Sequence, residues 1–142
     1  MKKRIIVTFF CVISGILAFV SGADVNLPRG NDEQSIMAAQ AMSHIEGIKR
    51  LAVLSRDNMV LVGAETLEGA NRSVIKNRIG QMVKEYFPEY GRCLLGVDNH
   101  WSESVLELPF YIDGGMNRKV LEKRFEYLAQ VSERKIPQNL TN

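Results

Sequence analysis

The sequence predicts an α+β domain: a small three-stranded mixed sheet covered by helices, in the order α-β-β-α-β-α, after an N-terminal signal or anchor helix. Two valine- and leucine-rich runs, Leu51 to Ser55 and Met59 to Ala64, are separated only by Arg56-Asp57-Asn58, residues that turn a chain readily. A third apolar run, Arg92 to Val97, lies beyond a segment whose apolar residues recur at helical spacing. Strands interrupted and flanked by amphipathic segments are the pattern of helices packed on a small sheet.

The elements follow in order. Apolar or small residues at Met37, Ala38, Ala41, Ile45 and Ile48 mark one face of a first helix, with Asn31 or Asp32 placed to cap it and Gly47 weakening its last turn. The hairpin comes next, and its second strand is apolar at nearly every position, as expected of a central strand with both faces at least partly covered. Glu65 to Ala70 is a connection. Val74, Ile75, Ile79, Met82, Val83 and Tyr86 then form a helical stripe that Pro88 ends, opposite a solvated side carrying Arg72, Lys76, Asn77, Gln81 and Lys84. Tyr90-Gly91 turns into the third strand, and the intervening helix lets that strand pair in parallel through a right-handed crossover.

Beyond it, Asp98-Asn99-His100-Trp101-Ser102 reads as a polar connection, and a short helix from Ser102 through Val105, Leu106 and Leu108 is kinked or ended by Pro109. Asp113-Gly114-Gly115 stops what precedes it. The last helix carries Val120, Leu121, Phe125, Leu128 and Val131 on one side and ends before Pro137.

Of the 142 residues, 46% are apolar and 24% charged, an ordinary globular balance sufficient for one domain. A folded part of about 110 residues buries roughly 65% of the surface of its unfolded chain, so no staple is required to hold its core. The divisions expected are a signal peptide or N-terminal anchor over 1–23, a flexible linker over 24–34, a single domain over 35–137 and a polar tail over 138–142.

Export is read from the N-terminus. Met1-Lys2-Lys3-Arg4 is positive, Ile5 to Val20 is uncharged and mostly apolar, and Ser21-Gly22-Ala23 offers the small residues of a cleavage site. The run is short for a membrane span, but with Ser21 to Ala23 it approaches the ~20 residues required, so a retained anchor stays open beside cleavage. Loss of Lys2, Lys3 and Arg4 changes the formal net charge from +2 to −1. A near-neutral domain gives no electrostatic case for nucleic acid.

Cys11 lies in the middle of the apolar run behind Thr8-Phe9-Phe10, where a lipidation site would need small residues, so it reads as apolar filler. Cys93, in an apolar strand, reads as a small hydrophobe. Cleavage would leave Cys93 without an intramolecular disulfide partner.

Candidate chemistry is sparse. Asp98, His100 and Glu103 lie just past a strand end, where a metal or acid/base site would require them to converge with a third element. The common alternative is three unrelated polar residues in a loop. His44 has no carboxylate or second histidine at ligand spacing. No phosphate-cradling glycine loop, H-E-x-x-H helix, G-x-S-x-G elbow or C-x-x-C pair occurs. Asn71-Arg72-Ser73 and Asn139-Leu140-Thr141 match the glycosylation pattern, which matters only on a eukaryotic route.

Arg118, Lys119, Lys123 and Arg124 crowd the first half of the last helix, where the macrodipole disfavours cations, with Glu122 and Glu126 in neighbouring turns as partial compensation. The group suits contact with an anionic surface; the plain alternative is a solvated, salt-bridged face.

A helix ending Ile45-Glu46-Gly47-Ile48 is followed by the strand residues Val53-Leu54-Ser55, the run Asp57-Asn58-Met59-Val60-Leu61-Val62-Gly63, the helix from Ser73 to Phe87 and the strand end Gly96-Val97-Asp98. Together these features resemble the YhcN/YlaJ family of sporulation lipoproteins. A final segment with Gly114-Gly115 and a helix running to Ile136-Pro137 also fits, so the resemblance spans about Ala41 to Pro137. Small exported domains of the BON type share a similar layout.

The resemblance implies a non-enzymatic exported protein of the cell or spore envelope, with no cofactor, no catalytic residues and no small-molecule substrate. Its expected contacts are a membrane surface or other envelope proteins. Many family members carry a lipidated cysteine, and this chain departs from them at Cys11.

Overall fold

This computed structural model describes residues 27–135. The expected signal or anchor, the start of the linker and the tail from Ile136 onward lie outside them. The elements run β1 (Arg29–Gly30), α1 (Glu33–Met42), β2 (Ile48–Arg56), β3 (Met59–Thr66), α2 (Arg72–Tyr86), β4 (Arg92–Val97), α3 (His100–Asp113) and α4 (Arg118–Lys135). The fold class is α+β, as expected, but the sheet has four strands and not three, in the order β1-β2-β3-β4.

The hairpin forms where the sequence places it. Arg56 pairs with Met59, and the two residues between, Asp57 (φ 48°) and Asn58 (φ 66°), both adopt left-handed backbone. That is the two-residue turn whose twist matches paired strands, and Asp and Asn tolerate it best after glycine. Asn58 also anchors β4, because its Oδ1 accepts from the Gly91 N–H at 2.8 Å and its carbonyl from the Arg92 N–H at 3.2 Å. β4 then pairs in parallel with β3 from Met59↔Arg92 to Ala64↔Val97.

The additional strand, β1, lies inside the segment expected as a flexible linker. It pairs in parallel with β2 for two residues, and the Asn31 side-chain amide continues the ladder. Asn31 Nδ2 donates to the Ser55 carbonyl at 2.7 Å, while the Ser55 N–H donates to Asn31 Oδ1 at 2.8 Å. Asp32 caps α1 by accepting from the Ser35 N–H at 2.7 Å, and it also accepts from the Ser55 hydroxyl. The buried Ser35 hydroxyl completes the knot by donating to Ser55 Oγ at 2.9 Å. Periodicity cannot show such a strand, since two residues are too few to alternate and the Asn31 side chain supplies the next two bonds.

Helices cover both faces of the sheet, which accounts for the nearly unbroken apolar run of β3. On one face, Leu51, Val53, Val60, Val62 and Ala64 meet α1 and α2 through Ala38, Met42, Ile75, Ile79 and Val83. On the other, Ala52, Leu54 and Leu61 meet Trp101, Val105 and Leu106 of α3 and Phe125 and Leu128 of α4. α1 is shorter than its apolar spacing predicts: it ends at Met42, Ile45 is buried beyond it, and Met37 is 55% exposed.

α3 extends well past the predicted limits, from His100 through Pro109 to Asp113. A proline in a helix interior costs about 3 kcal/mol in the general case. Here burial of Leu106, Leu108 and Pro109 offsets it, and the Gly114 N–H closes the last turn on the Phe110 carbonyl at 2.9 Å. The helix begins on a reciprocal capping box: Asn99 Oδ1 accepts from the Ser102 N–H, and Ser102 Oγ accepts from the Asn99 N–H.

α3 can lie this close to the sheet only because two paired residues beneath it lack side chains. Gly63 and Gly96 are partners across β3 and β4. A methyl group on Gly63 would stand 2.7 Å from the Ser102 carbonyl oxygen and from Val105 Cβ, and one on Gly96 would meet the Trp101 ring at 2.4 Å. The Trp101 indole N–H then donates to the Leu128 carbonyl at 2.8 Å, which ties α4 to α3.

Urea unfolding of two variants tests this packing. Gly63→Ala lowers stability by about 1–3 kcal/mol through overpacking. Gly80→Ala, whose new methyl on α2 meets nothing within 4 Å, raises it by about 0.5–1 kcal/mol. Equal effects at the two positions would contradict the close approach of α3.

Candidate functional site

The three residues proposed from sequence as a reactive cluster do not come together. Asp98 follows β4 with a left-handed backbone (φ 55°), and its own N–H donates to the Ala64 carbonyl at 3.0 Å. Its carboxylate therefore turns back on β3 and the start of α2. It accepts from the Thr66 N–H at 2.8 Å and from the Thr66 hydroxyl, and it pairs with Arg72 Nε at 2.8 Å. Burial works to raise this carboxyl, but the Thr66 hydrogen bonds and the Arg72 guanidinium outweigh it and hold Asp98 below the usual carboxylate value.

His100 and Glu103 point away from that cluster. Both stand in solvent on the first turn of α3, with His100 Nδ1 3.5 Å from Glu103 Oε2. Among the described residues no three His, Cys, Asp or Glu side chains are grouped to hold a metal ion. His44 is exposed just beyond α1, and Cys93 is exposed on β4.

All four cations in the first half of α4 are exposed. Arg118 Nε lies 3.4 Å from Glu122 Oε1, which also takes Arg56 Nη2 at 3.2 Å, and the Arg56–Glu122 pair joins the helix to the hairpin. Lys119, Lys123 and Arg124 are exposed, and the Arg124 guanidinium stacks on the Tyr111 ring, 4.5 Å from its centroid. No acidic residue lies in the first turn, although Asn117 Oδ1 caps the Lys119 N–H at 2.8 Å.

Two surface features escape the sequence reading. One is a shallow groove of about 200 Å³ between the hairpin turn and α4, lined by Arg56, Asp57, Met59, Arg92, Phe125 and Glu126 among others. Its walls come from segments some 70 positions apart, so no local motif announces it. Arg56 is already paired with Asp57 and Glu122, which makes the groove a mixed-charge crevice with no nucleophile poised beside a base. The other is a set of exposed apolar side chains where α3 meets α4: Phe110 and Tyr111 at 37%, Val120 at 43% and Tyr127 at 64%. Val120 was expected on the buried stripe. It lies about 140° around the helix from Phe125, beyond the edge of the covered face.

Asp98 supplies a pH test. Its folded value is depressed, so its stabilisation is complete above the unfolded value of about 3.9 and is lost as pH falls through the folded one. Asp98→Asn, which keeps a residue tolerant of left-handed backbone, lowers stability at pH 7 by about 1 kcal/mol. The stabilities of parent and variant converge as pH falls through the depressed folded value of Asp98; a gap independent of pH would contradict the bonding described.

The family model described as sporulation lipoprotein YhcN/YlaJ matches residues 22–105, from ahead of β1 to the middle of α3. No curated protein matches the chain. The matched span holds the linker strand, the hairpin, both paired glycines and Asp98 with its Thr66 and Arg72 partners. Covering more than half of the sequence, it establishes that the chain belongs to the YhcN/YlaJ family of sporulation lipoproteins.

Proposed function

We propose that this sporulation-associated protein is a non-enzymatic component of the spore envelope, exported from the cytoplasm, whose domain acts through contact with a membrane surface or with other envelope proteins. The observation that carries the reading is the disposition of its polar groups. Asp98, the carboxylate best placed for chemistry, is bound by Thr66 and Arg72, and Asp32 is bound by Ser35 and Ser55. Both are pulled down in pKa against burial by partners that hold the fold together. A general acid or base working near neutral pH has the opposite property, a carboxyl pushed up toward the working pH. The uncharged run from Ile5 to Val20 behind Lys2-Lys3-Arg4 supports export.

The contrasting possibility is an envelope hydrolase using Asp98, His100 and Glu103, and one complementation experiment separates the two. In the organism that carries it, a fluorescent fusion is expected to appear during spore formation and to collect at the spore periphery. His100→Ala and Glu103→Ala are expected to restore whatever spore or germination defect deletion causes. A cytoplasmic signal throughout growth, or failure of His100→Ala to complement while the protein accumulates normally, would overturn the proposal.

A further inference from the structure

We infer that the outer face where α3 meets α4, formed by Phe110, Tyr111, Val120, Lys123, Arg124 and Tyr127, rests against an anionic lipid leaflet. This rests on the envelope reading above and specifies which side of the domain meets the membrane. Residues beyond 105 lie outside the family match, so the family does not assign this surface.

Three observations converge on it. The first is composition. Val120, Arg124 and Tyr127 follow one another at i, i+4 and i+7 along α4, Lys123 lies beside them, and Arg124 reaches across to stack on Tyr111. Exposed tyrosine and valine interleaved with cations suit the interfacial layer, where rings sit at headgroup level and ammonium and guanidinium groups meet phosphate. A polyanion such as nucleic acid offers no apolar phase to receive Val120. Glu107 and Glu126 are exposed on the same two helices, and Asp113 is paired with Arg29 at 2.6 Å.

The second observation is where the chain enters the domain. The Arg29 guanidinium lies 4.3 Å from the Phe110 ring centroid while pairing with Asp113, so the N-terminal entry point is clamped to the patch itself. The uncharged run ends at Val20, nine residues before Arg29. Nine residues span about 30 Å at full extension. Whenever that run is held in a bilayer, this face is within reach of the headgroups.

The third is contrast with the other side of the sheet. α2 also carries exposed cations, Arg78 and Lys84, but its one large exposed apolar residue is Val74. The exposed Ile36 and Met37 of α1 have no basic residue on their own helix. Neither face combines rings with cations.

The test uses the full chain in vesicles whose phosphatidylglycerol carries brominated acyl chains, which quench tryptophan on contact. The native chain has one tryptophan, the buried Trp101, so its background quenching is low. Tyr127→Trp is expected to be quenched at least threefold more than Asn77→Trp on α2. Adding Lys119→Glu and Lys123→Glu, or replacing the lipid by neutral brominated phosphatidylcholine, is expected to abolish the difference. Those two changes leave the Tyr111–Arg124 stack intact and put negative charge in the first turns of α4, which favours the helix, so loss of contact would not reflect unfolding.

Equal quenching at the two positions, stronger quenching of Asn77→Trp, or contact indifferent to charge reversal would overturn the inference while leaving the envelope reading in place. A full chain that does not associate with vesicles at all would likewise overturn the inference, and would leave the envelope reading resting on contact with other envelope proteins.

Discussion

The structure depends on the close approach of α3 to the sheet over Gly63 and Gly96. These two residues, side by side on β3 and β4, form a trough with no side chains. Val105 and the first turn of α3 settle above one, and the Trp101 ring lies on the other. Trp101 in turn holds α4 through the Leu128 carbonyl, and the far end of α3 holds the incoming chain through Asp113, Phe110 and Arg29. One packing contact thus positions the second helical layer, the last helix and the N-terminal entry point.

The same arrangement separates structural polar groups from available ones. Thr66, Asp98 and Arg72 tie the ends of β3 and β4 to the start of α2, while Asn31, Asp32, Ser35 and Ser55 tie β1 and α1 to β2. Hydrogen-bonded groups of this kind fix the geometry of a small domain, and where they are buried, as Ser35 and Ser55 are, breaking one partner leaves the other unsatisfied. The surface around α3 and α4 carries the exposed rings of Phe110, Tyr111 and Tyr127 and the cations Lys123 and Arg124, beside the carboxylates Glu103, Glu107 and Glu126.

The parts of the fold legible in the sequence are those in which short-range pattern and long-range packing agree. Leu51 to Ala64 reads as a hairpin because Asp57-Asn58 suits the turn and the flanking runs are strand-like. β3 reads as central because both of its faces are covered. β1 was not legible, since two residues carry no periodicity and the Asn31 amide does the work of a third. Locally, Pro109 signals a kink or an end to α3, whereas burial of Leu108 and Pro109 carries the helix on to Asp113. Asp98 was legible as polar and near a strand end. Its partners, Thr66 and Arg72, are 32 and 26 positions earlier, and without them its structural role could not be distinguished from a chemical one. The cations of α4 were legible, but the sharing of Glu122 between Arg118 and Arg56 and the stacking of Arg124 on Tyr111 depend on partners outside that helix.

The claim that α3 organises the second layer is tested most directly by the environment of its one tryptophan. Acrylamide quenching of Trp101 in the folded protein, followed through a urea titration alongside helical circular dichroism, reads that contact without altering the sequence. The account predicts that Trp101 is shielded until the helices unfold and becomes accessible in the same single transition. A freely quenched Trp101 in the native protein, or helix loss that leaves its shielding unchanged, would contradict it.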